Sequence, residues 1–266
     1  MKKVVFLFVL FLFSKNLKAQ SIPLGSIDFK DERLRNEQLL GKNKSENSFT
    51  IRPLLIENDS IKSNKIQFGY LQITLNQQYN TLAPYGRNDG AMITAKGYQM
   101  KLNAGFTVKY NHFNFQFNPE YVYAENLAFE LFPTYVVTRV RLGYLNYLNN
   151  YDIPERLGVT AYKKIFWGQS ALNYSIGKVN FGISNENLWW GPGKYNSLIM
   201  SNNAPGFVHF TFNSVKPVQT PIGSFEWQLI SGKLVESGLD VPIDNYIVNG
   251  TNYKASKSKE WRYLSG

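Results

Sequence analysis

Between Tyr98 and Tyr110 the chain alternates strictly. Even positions carry Tyr98, Met100, Leu102, Ala104, Phe106, Val108 and Tyr110, while odd positions carry Gln99, Lys101, Asn103, Gly105, Thr107 and Lys109. A period of two with one wholly apolar face predicts a β-strand. From Phe113 to Tyr123 the phase switches: Phe113, Phe115, Phe117, Tyr121 and Tyr123 stand against Asn114, Gln116, Asn118 and Glu120. If Asn111-His112 is a two-residue turn, Tyr110 faces Phe113, Val108 faces Phe115 and Phe106 faces Phe117, and the apolar groups gather on one side. The same arithmetic holds around Gly177-Lys178, where Ile176 meets Val179, Tyr174 meets Phe181 and Leu172 meets Ile183, with Asn173, Ser175, Asn180, Gly182 and Ser184 opposite. Two hairpins are therefore expected.

Other segments read less cleanly. Lys65 to Tyr79 alternates imperfectly and is expected as a further strand. Val208, Phe210 and Phe212 alternate with Phe207, His209, Thr211 and Asn213, and Phe225, Trp227 and Leu229 with Glu226 and Gln228. The linker VKPVQTPIG between them holds two prolines, which should break pairing there. Asp31 to Leu40 reads as a short polar helix closed by Gly41, followed by a lysine- and asparagine-rich loop through Ser48. Lys254 to Lys259 is a basic, polar tail, and no fixed-period repeat is visible. The last residues, Arg262 to Gly266, lack an aromatic-ended final strand, so the chain reads as cut short.

A soluble sandwich would alternate in the same way, but strand length favours a membrane wall. Thirteen residues at about 3.3 Å rise and roughly 40° tilt cover about 30 Å, and a tyrosine marks each end of Tyr98 to Tyr110. The expected fold class is all-β: an antiparallel outer-membrane β-barrel, in its N-terminal portion, with a short helical periplasmic lead-in. In such barrels short turns face the periplasm, which places Asn111-His112 and Gly177-Lys178 inside. Ala124 to Ser170 becomes an external excursion with room for an extra strand pair, and the segment after Ile183 emerges at the outer mouth. The expected divisions are 1–19 (signal), 20–64 (lead-in) and 65–266 (barrel portion).

Composition sharpens this picture. Lys2 and Lys3, the apolar run Val4 to Phe13 and Leu17-Lys18-Ala19 form a Sec-type signal too short to span a bilayer. Cysteine is absent, so neither disulfides nor a lipidated cysteine supports the exported chain. The formal charge is +10, of which four lysines belong to the signal region, leaving about +6. A modest positive excess outside the cytosol suits acidic glycans or lipid headgroups and argues against nucleic acid. Aromatic residues make up 15% of the chain, and no segment after the signal offers the long apolar run of a membrane helix.

The densest candidate chemistry lies in ENLWWGPGKYNSLIMSNNAPGF, from Glu186 to Phe207. Trp189, Trp190 and Tyr195 supply faces for sugar C–H surfaces, Asn187, Asn202 and Asn203 supply amides for hydroxyls, and Lys194 supplies a charge for an acidic sugar. The competing reading is that WWGPG is a fold element capping a core or plugging the barrel. Asp152, Glu155 and Arg156 are further ligand candidates, with a loop salt bridge as the plainer role. A glycosidase needs two carboxylates about 5 to 10 Å apart, and Glu155 and Glu186 sit on loops whose convergence would supply such a pair. His112 and His209 are expected to be solvated, and Lys101 and Lys109 to be hydrated lumen residues. No HExxH, Walker or GxSxG pattern occurs, so no metal, cofactor or nucleophile chemistry is expected.

The WWGPG segment with its SNNAP continuation, preceded by YDIPERLG and FWGQS and followed by TPIGSFEWQLISGKL, resembles the Wzi family of outer-membrane capsule-assembly proteins in the form found in Bacteroidetes. The resemblance implies a large antiparallel barrel with a small helical periplasmic element. It also implies a lectin that retains capsular polysaccharide at the cell surface, from a family whose members run longer than this chain. The expected protein is a non-enzymatic, monomeric outer-membrane barrel with polysaccharide and outer-membrane lipid as partners. A secreted carbohydrate-active hydrolase and a passive porin are the alternatives.

Overall fold

The computed structural model describes residues 21–22, 29–42, 47–55, 66–133, 135–136, 138–238, 245–248, 251–254 and 262–266. The expected signal (1–19), part of the lysine-rich loop and most of the basic tail lie outside the described residues.

The wall is built from runs that each change sheet at one height. β4 (Gln67–Tyr70) leads into β5 (Thr74–Tyr85), β6 (Ala95–Asn103) into β7 (Phe106–Tyr110), β8 (Phe113–Phe117) into β9 (Glu120–Ala124), and β10 (Tyr162–Phe166) into β11 (Ala171–Ile176). The wall continues through β12 (Val179–Ser184), β14 (His209–Ser214), β17 (Gln228–Lys233) and β20 (Tyr263–Ser265), while outside it β1 (Ser21–Ile22) pairs with β3 (Leu54–Leu55) and β18 (Asn245–Val248) with β19 (Thr251–Lys254). Pairing gives a four-stranded sheet, β10-β9-β6-β5, and an eight-stranded one, β20-β17-β14-β12-β11-β8-β7-β4, with antiparallel neighbours throughout. Among the described residues no pairing joins β4 to β20, so the sheet is open.

The break between the sheets corrects the expectation of one uninterrupted strand from Tyr98 to Tyr110. At Gly105 an added Cβ would lie 2.1 Å from the Phe117 carbonyl oxygen. Pro119 offers no N–H to a ladder, and Gly168 (φ +60°) bridges Asn118 where a Cβ would stand 2.3 Å from the Asn118 oxygen. The alternation itself runs through the break unshifted.

Both expected hairpins form in the expected register, Tyr110 with Phe113 and Ile176 with Val179 closing them. Their turns lie side by side, Ser175 N donating to His112 O and Val215 N to Lys178 O, so the 215–227 connection shares that end. The longer connections 86–94, 125–161, 185–208 and 234–262 leave from the opposite end of their strands. Within 215–227, β15 (Val218–Thr220) pairs with β16 (Gly223–Phe225) across a Pro221-Ile222 turn. This corrects the expectation that the prolines abolish pairing: Pro217 precedes the strand and Pro221 sits in the turn, where no ladder N–H is needed.

The faces of the wall are inverted relative to a water-soluble sheet. Gln99, Lys101, Asn103, Thr107, Gln116, Asn173, Asn180, His209, Thr211 and Asn213 are buried, whereas Leu102, Phe113, Phe115, Leu172, Ile176, Phe181, Ile183, Phe210 and Leu229 are exposed. Aromatic pairs such as Phe181 with Phe212 (ring centroids 4.8 Å apart) and Phe113 with Tyr174 (4.7 Å) pave the apolar side. His209 thus departs from the expected solvation: it lies on the covered polar face with Nδ1 2.8 Å from Phe207 O. His112 is exposed, its Nδ1 2.9 Å from Ser175 O.

The excursion expected over Ala124 to Ser170 is shorter, since Tyr162–Phe166 joins the wall as β10 beside β9; the remaining 125–161 connection contains a helix that alternation could not reveal, α2 (Thr138–Tyr151). Leu145 and Leu148 are buried beneath it, and Asp152 ends it with φ +53° as Ile153 N bonds Leu148 O, a left-handed cap. Earlier, α1 (Phe29–Leu39) forms as expected and closes at Gly41 (φ +67°), with Lys42 N bonding Glu37 O and Gly41 N bonding Gln38 O. Among the described residues neither helix is long and apolar enough to cross a membrane.

Candidate functional site

The 185–208 segment leaves β12 and folds over the polar face of the wall. Glu186 Oε1 accepts from Gln116 Nε2 (3.2 Å) and its Oε2 from Ser184 Oγ (3.1 Å). Asn187 is held three ways: its N–H donates to Gln169 Oε1 (2.9 Å), Gln169 Nε2 donates to its Oδ1 (2.7 Å), and its Nδ2 donates to Ala204 O (2.7 Å). Gly206 closes the segment where an added Cβ would meet the Asn185 oxygen at 1.9 Å. The segment bonds Gln116, Gln169 and Ser184, while Asn180 bonds Asn173 and Asn213 across neighbouring strands, and these bonds let a hydrophilic face be buried.

The tryptophan pair forms β13 (Trp189–Trp190), which pairs with β2 (Ile51–Arg52) of the lead-in. Trp189 is 5% exposed and donates its indole N–H to Gly193 O (2.9 Å). Trp190 donates to Gln228 Oε1 (2.6 Å), toward the short-turn end of the wall, where Thr50 Oγ1 also donates to Glu226. Trp190 N bonds Ile199 O and Leu198 N bonds Trp190 O, tying off 191–197 as a small loop. The pair therefore reaches inward over the polar face, and the lead-in meets it there; the two segments do not lie on opposite sides of the wall.

Beyond the tryptophans the segment turns toward the long-loop end. Asn88 N donates to Asn203 Oδ1 (2.7 Å), Asn88 Nδ2 to Tyr195 O (2.8 Å), Arg87 Nη2 to Asn196 Oδ1 (2.7 Å), and Asn202 Nδ2 to Asn88 O (3.0 Å). Asn202 is buried, whereas Lys194, Tyr195, Asn196 and Asn203 are exposed. Lys194 Nζ donates to Glu32 Oε2 (2.7 Å), which raises its already high pKa, and stands 5.7 Å from the Tyr195 ring centre. The predicted residues of this segment thus divide: Asn187, Trp189 and Asn202 are buried, Trp190 is half-buried, and Lys194, Tyr195 and Asn203 form a surface.

Asp152, Glu155 and Arg156 belong to the excursion. Asp152 accepts from Ser237 N and Oγ, both at 2.6 Å. Glu155 Oε1 accepts from Phe132 N (2.7 Å) and from Tyr144 Oη (2.9 Å), and Arg156 Nη2 donates to Asn126 O and Val159 O. Burial, and then Glu155, push the Tyr144 hydroxyl up to about 12. The two carboxylates considered as a glycosidase pair are held by different partners, Glu155 within the excursion and Glu186 over the wall. Among the described residues no three His, Asp or Glu side chains converge as metal ligands.

Several organising contacts gave no signal in the sequence. Arg52 is almost fully buried, with Nε 3.1 Å from Asp31 Oδ2 and Nη1 on Ser48 O and Ile51 O; burial lowers its pKa and Asp31 acts against that. Glu120 gathers Asn103 Nδ2 (3.0 Å), Gln169 Nε2 (3.2 Å) and, at 4.0 Å, Lys101 Nζ. Lys101, expected as a hydrated lumen residue, is instead 3% exposed and donates to Asp89 O (2.9 Å). Lys109 is half-buried. Polar alternation marked these positions as one face, and only the covering segment decides that the face is closed.

A family model described as capsule assembly protein Wzi matches residues 71–250, more than half of the 266-residue chain. The chain belongs to the Wzi capsule assembly protein family. The match takes in the wall from Leu71 through β17, the excursion and the whole tryptophan segment. No curated protein and no solved structure matches the chain.

Proposed function

We propose that this chain, after export, forms part of an outer-membrane β-barrel that holds capsular polysaccharide without chemically altering it. The inverted wall carries the reading. A sheet whose apolar face is exposed and whose polar face is covered wastes about 25 cal/mol per Å² of exposed apolar surface in water. In hydrocarbon the same face is the favoured one, and apolar-out, polar-in alternation is what a membrane strand requires. Lipid also demands paired edges, so β4 and β20 must meet each other or further strands in the membrane.

Short turns at one end and long connections at the other orient the wall, with the long-loop end outward. There Lys194, Tyr195 and Asn203, together with Asn196 and Arg87, present an aromatic face, amides and cations to a polysaccharide. Trp189, Trp190, Asn187 and Asn202 shape that surface from beneath. Family membership supports the polysaccharide as ligand.

Tyr195→Ala with Lys194→Gln should leave heat-modifiable migration and detergent-dependent extraction unchanged while cutting cell-retained capsule several-fold. Full retention by the inserted variant rejects the surface. Quantitative extraction of the wild-type chain without detergent rejects the membrane wall, and release of reducing ends from the polysaccharide by the purified protein replaces binding with hydrolysis.

A further inference from the structure

The outward face of helix α2 carries a strip that neither the tryptophan segment nor the wall uses. Arg139, Gly143, Asn146, Tyr147, Asn150 and Tyr151 are all exposed and recur at three- and four-residue spacing, so they form one line along the helix. The line is roughly 18 Å long at 1.5 Å per residue. Tyr147 and Tyr151 are 55% and 63% exposed, and their rings sit 5.0 Å apart with a 53° tilt. Two large aromatic faces left side by side in water, with an amide beside each, are poor core material and good ligand contacts.

The strip is held rigid from below. Leu145 and Leu148 anchor the underside, and Tyr144 stacks on Phe132 at 4.2 Å. Asp152 caps the last turn while its carboxylate binds Ser237, and Arg262 Nη1 donates to Asn150 O (3.2 Å). A preset array of rings and amides loses little freedom when a ligand arrives.

We propose that this face of α2 is a second glycan-binding strip, one that takes an acidic polysaccharide chain along the helix. Tyr147 and Tyr151 stack on sugar rings, Asn146 and Asn150 bond hydroxyls, and Arg139 meets a carboxylate or sulfate. The occupant follows from charge and composition: the helix holds two arginines and no acidic residue. Val140 is the one aliphatic side chain among its described exposed positions, whereas a helix lying in a bilayer surface needs a broad aliphatic face. The excursion also leaves the wall at the same end as the 86–94 connection, whose Asn88 Nδ2 donates to Tyr195 O, so a chain bound at Tyr195 and one bound at Tyr147 approach from the same side. The strip rests on the polysaccharide-holding function proposed above and adds a separate site to it.

The test uses the full-length chain in detergent and fluorescently labelled acidic surface polysaccharide purified from the producing cells. Tyr147→Ser with Tyr151→Ser should weaken binding about tenfold or more with circular dichroism unchanged, and Arg139→Gln should flatten the salt dependence. Should the serine pair unfold the excursion, Asn146→Ala with Asn150→Ala serves the same purpose and should also weaken binding several-fold. Absence of binding by the wild-type chain overturns the function itself. Wild-type binding that both variant pairs leave intact overturns the strip alone. Adhesion to phosphatidylglycerol and phosphatidylethanolamine vesicles that is lost in the serine pair, with polysaccharide binding kept, assigns the face to lipid and overturns the strip as well.

Discussion

The wall and the 125–161 excursion obey opposite rules of burial within one chain. In β14 the exposed residue is Phe210 and the buried ones are His209, Thr211 and Asn213. In α2 the buried residues are Leu145, Leu148 and Asn149, and Arg139, Asn146, Tyr147, Asn150 and Tyr151 face out. At the junction an ordinary small core appears, Ile93, Ala95 and Ala124 packed by Leu157 and Tyr162. On the membrane reading proposed above, the difference teaches that the medium changes along the molecule: hydrocarbon suits the wall, water suits its upper rim, and Ala95 and Ala124 lie where one gives way to the other.

Two substitutions would break the comparison most forcefully. Leu148→Ala removes buried methyls from beneath α2 and should cost about 2–5 kcal/mol, read as loss of protease resistance in the excursion with the wall intact. Phe210→Lys sets a charge on the exposed face of β14. In a bilayer it should cost about 2–4 kcal/mol and abolish insertion, whereas Val159→Lys, at an exposed position of the excursion, should change stability by less than about 0.5 kcal/mol. Equal tolerance of both lysines would show that wall and rim share one solvent.

The wall was readable because its information is local. Phase reversal across Asn111-His112 and Gly177-Lys178 dictates register residue by residue, and the polar positions Gln99, Gln116 and Asn180 follow from the same count. What covers that polar face was not readable. Arg52 meets Trp189, and Asn88 meets Asn203, across more than a hundred residues, and no period announces such contacts. Helix α2 was missed for another reason. Leu142, Leu145 and Leu148 do recur at helical spacing, but Gly143 and the tyrosine and asparagine between them weaken any helical preference.

The clamp on the tryptophan segment gives smaller effects that sharpen the contrast. Gly206→Ala drives a Cβ toward the Asn185 oxygen and should cost on the order of 1–3 kcal/mol, seen as faster proteolysis within 185–208 while the hairpin registers persist. Trp190→Phe keeps the ring but loses the bond to Gln228, with a cost of about 0.5–1.5 kcal/mol. If Trp190→Phe proved as damaging as Gly206→Ala, the indole N–H, and not the close packing at Gly206, would be the main fastening.

The smallest effect is an alkaline one confined to the rim. Tyr144 is raised from 10.0 to about 12 by burial and by Glu155, so its neutral form is favoured in the folded state. Between those values the unfolded chain has released the phenolic proton and the folded chain still holds it, and stability therefore falls as pH rises from about 10 to about 12. Below pH 10 the two states bind that proton equally and the contribution is complete. Tyr144→Phe removes the titrating group along with its bond to Glu155. It should lower the excursion's stability at neutral pH by about 0.5–1.5 kcal/mol and remove this part of the alkaline loss, measured as protease resistance across the pH range. If the rim meets water as proposed, detergent exchange should leave the Tyr144 titration unmoved, and a titration that shifted with the detergent would place α2 against the same medium as Phe210.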